Sequence, residues 1–150
     1  MRRTIATLVA TSAVVFSAST PAAEIYKDYV PSKEVYNVTF INVKPNRFDD
    51  YLDGLRQTWW SSCEIGKKMG TISDCAIYSS TTAANRDFNL ILVIKSPSAA
   101  MSDPDEARYN KFMAEWRAQL AKDKQDKLVE GYSEMRSFFG EQDFRKITFK

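Results

Sequence analysis

Cys63 and Cys75 are the two cysteines of the 150-residue sequence, and they flank the stretch "EIGKKMGTISD". A redox motif of the CxxC type has two residues between its cysteines, so this longer spacing argues against that chemistry. A metal site would need further cysteine or histidine ligands, and the sequence contains none. A disulfide bond and a pair of buried free thiols remain, and we favour the disulfide because the chain carries the leader described below.

The sequence contains no histidine. This excludes Ser-His-Asp and Cys-His catalysis, proximal-histidine haem binding and ordinary zinc sites. Any reaction must use Asp, Glu, Lys, Tyr or Cys side chains, or depend on a cofactor or on the substrate itself. We predict no metal and no cofactor, and whether the protein is an enzyme stays open. The acid pairs Asp49/Asp50 and Asp103/Asp105 lie at predicted helix starts, where they interact with the helix dipole.

Residues 1–23 have the layout of a secretory signal peptide. Two arginines are followed by an apolar run from Ile5 to Phe16 and then by small residues up to Ala23. The run is shorter than the roughly 20 residues of a membrane span, which makes an uncleaved anchor the weaker alternative. We therefore expect an exported protein, periplasmic or extracellular, without a stable membrane span once the signal is removed.

Removal of this leader also removes the net charge. The full chain has 21 Lys and Arg against 19 Asp and Glu, and the leader holds two arginines and no acid. The remaining chain is therefore formally neutral, with cations and acids interleaved. A protein that binds nucleic acid without sequence preference needs a surplus of cations, so we do not expect nucleic acid as a partner.

The first half of the mature chain predicts an arm, a strand and a helix. Residues 24–33 form the arm, and the alternating, β-branched stretch 34–43 predicts a strand. A helix then runs from Asn46, a candidate N-cap, to the turn at Gly70. Its apolar stripe follows helical spacing and consists of Phe48, Leu52, Leu55, Trp59 and Cys63.

The second half predicts two strands and a long helical region. Strands over 74–80 and 87–96 flank a polar link, which favours a hairpin. An amphipathic helix follows, continues through a charged stretch and a bend near Gly131, and ends at Gly140. A fourth short strand is predicted over 144–150. The helical stripe consists of Tyr109, Phe112, Met113, Trp116, Leu120, Leu128, Tyr132, Met135 and Phe139.

This order of elements is β-α-β-β-α-β, the ferredoxin-like arrangement, over the domain 34–150. It predicts an α+β fold with a four-stranded antiparallel sheet and helices on one face. The segments "YNVTFINVKPNRFDDYLDGLR" and "EARYNKFMAEW", with the hairpin between them, resemble the dimeric α/β-barrel superfamily of antibiotic-biosynthesis monooxygenase-like, EthD-like and stress-responsive barrel proteins. The resemblance implies a homodimer in which two open sheet faces pack into a barrel. The extended helical region at 117–139 departs from the compact members, and no catalytic residues can be carried over.

The predicted faces of the sheet give the candidate binding residues. Alternation places Tyr36, Val38 and Phe40 on one face of the first strand, and their apolar character favours the side under the helices. If Cys75 also faces the helices, Ala76 and Tyr78 face away from them. The open face then contains Ile41, Ile91 and Val93 and the candidate ligand-binding residues Asn37, Thr39, Tyr78 and Asn89, with Trp60 at the edge of the helical stripe.

Three functions follow from these expectations. The first is an exported, homodimeric α/β-barrel domain that binds a small, partly apolar molecule in or beside the barrel. The second is a cofactor-independent monooxygenase- or isomerase-like enzyme, in which Asn37, Thr39 or Tyr78 would converge on one point of a dry cavity. The third is a non-catalytic protein that docks another envelope protein. The alternative for the open face itself is that its residues only fill a dimer interface.

Overall fold

Four strands form one antiparallel sheet. The computed structural model describes residues 22–82 and 87–150, so the predicted leader lies outside these ranges except for its last two residues, as does most of the hairpin link. The strands are β2 (Val35–Val43), β3 (Asp74–Ser79), β4 (Leu90–Ser96) and β5 (Arg136–Phe144). They lie in the order β3-β4-β2-β5, and every neighbouring pair is antiparallel.

Helical segments connect β2 to β3 and β4 to β5. The first connection contains α1 (Phe48–Leu55), a π-helical turn (Arg56–Trp60) and α2 (Ser61–Lys68) in one continuous rod. The second contains a 3-10 turn (Ala99–Ser102), α3 (Glu106–Gln119) and α4 (Lys122–Met135). With this strand order and these connections the domain is an α+β, ferredoxin-like fold, as the element order predicts.

The sequence predicted the C-terminal end of the first helical rod correctly and its N-cap wrongly. Gly70 follows the helix with φ of +72°, and its N–H donates to Lys67 O at 3.0 Å, which confirms the predicted glycine stop. The predicted N-cap is wrong. Arg47 holds that position without a side-chain cap, and Asn46 adopts a left-handed φ of +61° in the preceding turn.

The helices cover one face of the sheet and bury two clusters. The larger cluster joins the sheet to α1 and α4, and the smaller joins α2 to α3. The buried members of the larger cluster are Ile41, Val43, Tyr51, Leu55, Leu90, Leu92 and Tyr132, and those of the smaller are Ile65, Trp116 and Leu120.

The region after α3 departs from the prediction in three ways. The helical region breaks at Leu120 and Ala121, where the backbone is not helical, and not near Gly131. Leu120 is buried in one cluster with Trp116. The helix ends at Met135. Phe139 and Gly140 therefore belong to β5, the true fourth strand.

The predicted arm and the C-terminal segment meet in a small separate sheet. β1 (Tyr29–Pro31) in the predicted arm pairs antiparallel with β6 (Ile147–Phe149). The C-terminal segment predicted as the fourth strand of the main sheet thus pairs with the arm. Within the described ranges, no helix combines the length and the apolar character needed to cross a bilayer.

Candidate functional site

The sheet face opposite the helices, which we call the open face, carries an apolar surface over β2, β3 and β4, and on β5 it continues with Phe144 beside the polar Gln142. Directly paired residues of antiparallel strands point to the same side. Val38 pairs with Val93, which pairs with Ala76, so all three strands contribute to this surface. Its members are Tyr36, Val38, Phe40, Ala76, Tyr78, Ile91, Val93 and Phe144, and Tyr78 is 58% exposed.

A depression of about 510 Å³ lies on the open face. Its apolar walls are Tyr36, Val38, Ala76, Tyr78, Val93 and Phe144, and charged side chains also line it. Lys95 pairs with Glu34 at 2.7 Å. The hydrogen bond to that carboxylate raises the pKa of Lys95, against the opposing effect of desolvation.

The other two cations of this depression belong to the segment that follows β5. Arg145 donates from Nη1 to the carbonyl oxygens of Ser32 and Lys33, at 2.9 and 3.2 Å. Lys146 also lines the depression. The lining therefore combines an apolar floor with a cationic border, which suits a small, partly apolar molecule.

Asn37 and Thr39 lie on the opposite side of the sheet from Tyr78. Thr39 pairs with buried Leu92, so both odd-numbered residues point to the helix side, and Asn37 Nδ2 donates to Glu141 (2.6 Å) and Asp143 (3.0 Å).

The two faces of β2, which the sequence predicts as the first strand, are therefore the reverse of the prediction. Ile41 and Val43 are the residues of this strand that the helices bury, whereas the apolar trio Tyr36, Val38 and Phe40 lies on the open face. The physical reason is that burial under the helices is concentrated at the Ile41–Val43 end of the strand, so the helix side can be polar at the other end.

Asn89 immediately precedes β4, and hydrogen bonds to the backbone of Val43 hold its side chain in place. Its Oδ1 accepts from Val43 N–H and its Nδ2 donates to Val43 O, both at 2.8 Å. Trp60 lies on the helical rod, where Lys67 Nζ is 5.3 Å from its ring centroid. The structure thus places Tyr78 alone of the five candidates in the depression, and it does not bring Asn37, Thr39 and Tyr78 together.

Cys63 and Cys75 form a disulfide bond, which confirms the favoured interpretation. Their Cα atoms are 6.3 Å apart and both residues are buried. The bond joins α2 to β3 and turns Cys75 toward the helices. Ala76 and Tyr78 consequently face the open side, as the alternation of the strand predicts.

A buried polar cluster lies beneath the π-helical turn, and sequence reasoning missed it. Thr58 Oγ1 lies 2.5 Å from the Tyr132 hydroxyl, and the Tyr132 ring contacts Tyr51 edge-on at 5.1 Å. The Arg136 guanidinium lies 5.8 Å and 5.7 Å from the centroids of these two rings. Its Nε is buried without a hydrogen-bond partner among the described residues. The clearest sequence signal would have been Thr58, a polar residue on the inward face of a helix whose other inward residues are apolar.

Burial raises the pKa of both tyrosines of this cluster. Desolvation raises the pKa of Tyr51 to about 12, although the Arg136 charge acts in the opposite direction. Desolvation also raises the pKa of Tyr132, opposed by its bond to Thr58 and by Arg136. Both phenols therefore keep their protons to higher pH than an exposed tyrosine, and they act as hydrogen-bonding and packing groups. Among the described residues there is no group of three or more Cys, Asp or Glu placed to hold a metal ion.

Comparison with known proteins gives likenesses of fold only. No family model and no curated protein matches the chain. HapK from Hahella chejuensis is 14% identical, with 75% of this chain and 91% of that protein covered and a TM-score of 0.44. A dimeric ferredoxin-like protein of unknown function from Bacteroides fragilis is 9% identical, with 78% and 100% covered and a TM-score of 0.44.

SnoaB from Streptomyces nogalater, a cofactor-independent oxygenase, is 6% identical, with 75% of this chain and 92% of that protein covered and a TM-score of 0.44. All three likenesses are likenesses of fold alone. With identities this low and TM-scores below 0.5, they carry no information on the activity of this chain.

Proposed function

We propose that this chain is an exported ferredoxin-like domain that pairs with a second copy through the open face and binds a small, partly apolar molecule in the depression there. The observation that carries the proposal is the open face itself. It extends across all four strands and exposes large side chains, Tyr78 at 58% and Phe144 at 45%. An antiparallel sheet face is ordinarily polar where it meets water, so an apolar one favours a covering partner.

A second copy is the partner that fits this face best. The face is apolar in the middle, at Val38 and Val93, and its charged groups Lys95 and Asp74 lie together at one end. Cores of homodimer interfaces have this composition. The superfamily that the sequence resembles pairs its open faces in the same manner, which supports the choice of a second copy over an unrelated protein.

Binding of a small molecule is supported by the shape and lining of the depression. Its volume of about 510 Å³ falls within the roughly 300–1,000 Å³ that is usual for small-molecule sites. Packing of two open faces would convert this surface depression into an enclosed space. The enzyme alternative receives less support, because Asn37 and Thr39 lie on the far side of the sheet from Tyr78 and cannot act on one substrate with it.

Export is supported by two independent features. The sequence begins with the predicted leader over residues 1–23, and the buried cysteine pair is bonded. Structural disulfides form in oxidising compartments and are rare in the reducing cytosol. Mass spectrometry of protein recovered from the host envelope or medium should give an N-terminus near Glu24 and no free thiol. An intact leader, or two reduced cysteines, would contradict export.

The dimer is tested by a matched pair of tyrosine variants. Tyr78 on the open face and Tyr109 on α3 are exposed to a similar degree, 58% and 61%. Light scattering after size exclusion should give a dimer for the wild type and for Tyr109→Asp, and a monomer for Tyr78→Asp. A wild-type monomer, or a dimer that survives Tyr78→Asp, would contradict pairing through the open face.

The binding site is tested separately with N-phenyl-1-naphthylamine, a neutral probe whose fluorescence rises in apolar surroundings. Ala76 lies on the floor of the depression. An Ala76→Phe variant should fill that space and abolish the rise in fluorescence, while Ala114→Phe on the exposed side of α3 should leave it intact. If the protein is a dimer and both variants bind the probe equally well, the dimer proposal stands and the proposed binding site is rejected.

A further inference from the structure

We infer that the chain has a second binding site, separate from the open face, that takes an organic cation with an apolar body, such as an aromatic or alkyl ammonium ion. The site is a pocket of about 570 Å³ between the end of the first helical rod, the 3-10 turn and the start of α3. The lining that matters for the argument is Met69, Met101, Asp103, Glu106, Tyr109 and Phe112.

The apolar wall of this pocket is an extension of the smaller core cluster. Phe112 stacks on Trp116 with ring centroids 6.2 Å apart, and both Phe112 and Met69 pack against that cluster. Tyr109 belongs to the same helical stripe, and the sequence predicts it to be buried. That prediction is wrong, because Tyr109 lies beyond the end of the core and is 61% exposed beside the pocket.

Aromatic and thioether groups form a surface that suits organic cations. The face of a tyrosine or phenylalanine ring attracts a positive charge, and methionine sulfur is polarisable and adapts its shape to different ligands. Tyr109 and Phe112 supply the rings, and Met69 and Met101 supply the thioethers. An apolar body carrying one positive charge can contact all four side chains.

The carboxylates around this wall decide the sign of the ligand charge. Asp105 accepts a hydrogen bond from the Arg108 N–H at 2.9 Å and thereby caps α3. The Arg108 guanidinium donates to the Asp103 carbonyl oxygen. Within the described ranges, the carboxylates of Asp103 and Glu106 make no ion pair or side-chain hydrogen bond. Three acids and one guanidinium give the lining a formal charge of −2. This exceeds the charge of about +0.5 at the N-terminus of a helix, so the pocket stays negative.

The contrast with the open face makes the preference specific. The depression there is lined by Lys95, Arg145 and Lys146 with the acid Asp74, and Glu34 balances the charge of Lys95. A small excess of positive charge remains, which disfavours a cation. The pocket at the start of α3 has the opposite balance, because more acidic than basic side chains line it. A cationic ligand should therefore bind at α3 and an uncharged or anionic one at the open face, and the two sites can be measured independently.

The experiment titrates the full, dimer-competent protein with phenethylammonium chloride and follows the methionine methyl signals by NMR. We expect the Met69 and Met101 methyls to shift, and 2-phenylethanol, which has a similar shape without the charge, to bind more weakly. The double variant Asp103→Asn/Glu106→Gln should weaken binding roughly 2- to 30-fold, the range for two exposed charge pairs. Tyr109→Ala should weaken it roughly 2- to 5-fold through loss of the cation–π contact.

Two variants serve as controls. Glu134→Gln removes an exposed acid on α4, and Tyr78→Asp disrupts the open face. Neither should change the affinity for the ammonium ion. Equal affinity for the alcohol and the ammonium ion, shifts confined to methionines other than Met69 and Met101, or an unchanged affinity in the double variant would overturn the inference. None of these results depends on whether the protein dimerises.

Discussion

Tyr132 of α4 occupies the space directly against Gly54 of α1: a Cβ placed on Gly54 would lie 2.9 Å from Tyr132 Cε1 and 3.2 Å from its hydroxyl oxygen. The tyrosine cannot move aside easily, since its hydroxyl is bonded to Thr58 and its ring packs on Tyr51. This close approach is what allows α4 to lie on α1 above the sheet. A glycine inside a helix is therefore required here by packing and not by backbone conformation.

The first prediction concerns Gly54→Ala. Alanine favours a helix by about 1 kcal/mol over glycine, but the added methyl group should meet a held aromatic ring, and overpacking costs about 1–3 kcal/mol. We expect a lower free energy of unfolding in urea. Gly131→Ala on α4 is the matched control, because its nearest neighbour is the flexible Met135 Cε at 3.3 Å. That control should raise the free energy of unfolding, and the same sign in both variants would contradict the account.

The second prediction concerns the disulfide. Replacing Cys63 and Cys75 together by alanine should lower the free energy of unfolding by about 3 kcal/mol, the value for a closed loop of this size in the chain-entropy model. Urea unfolding with and without dithiothreitol is the measurement. The reductant should destabilise the wild type and leave the double variant unaffected. Equal stability of wild type and variant under oxidising conditions would show that the bond contributes little.

The local patterns in this sequence predicted most of the fold correctly. The stripe from Phe48 to Cys63 predicted the first helical rod, and Gly70 predicted its end. The hairpin and the disulfide also followed from short-range spacing, because each depends on residues close together in the chain. The order of the elements from β2 to β4 could therefore be derived without long-range information, whereas the fourth strand was predicted over 144–150 and lies at Arg136–Phe144.

The errors arise where a residue's environment depends on distant parts of the chain. The more apolar trio of β2 lies on the open face, because α1 and α4 cover the strand only at the end that carries Ile41 and Val43. In β5, the register shifts by one residue between Gly140 and Phe138, which interrupts the period-two alternation and conceals the strand. The same local ambiguity led to the prediction that Phe139 continues a helical stripe.

The third prediction separates a structural role from a binding role for Asn89. Its side chain makes two hydrogen bonds to the Val43 backbone, so Asn89→Ala should lower the free energy of unfolding by about 1–3 kcal/mol. Asn37→Ala is the matched control, because its partners Glu141 and Asp143 are exposed and can be solvated instead. Its effect should stay below about 1 kcal/mol. If Asn37→Ala lowers the free energy of unfolding and Asn89→Ala leaves it unchanged, the structural role belongs to Asn37 and not to Asn89.

The fourth prediction concerns alkaline pH. The folded-state pKa of Tyr51 is raised from 10.0 to about 12, so between these values the unfolded chain loses this proton while the folded chain retains it. The unfolded state then binds fewer protons, and the free energy of unfolding must fall as pH rises. The full difference corresponds to about 1–3 kcal/mol at 1.36 kcal/mol per pKa unit.

The measurement is urea unfolding between pH 9 and 12 for the wild type and Tyr51→Phe. The wild type should lose stability steeply above pH 10, and the variant should show a smaller slope because phenylalanine carries no proton to lose. A remaining slope is expected from Tyr132, whose pKa is also raised by burial. Parallel curves for the two proteins would mean that the Tyr51 hydroxyl titrates alike in the folded and unfolded chains, and that burial under α4 does not hold it neutral.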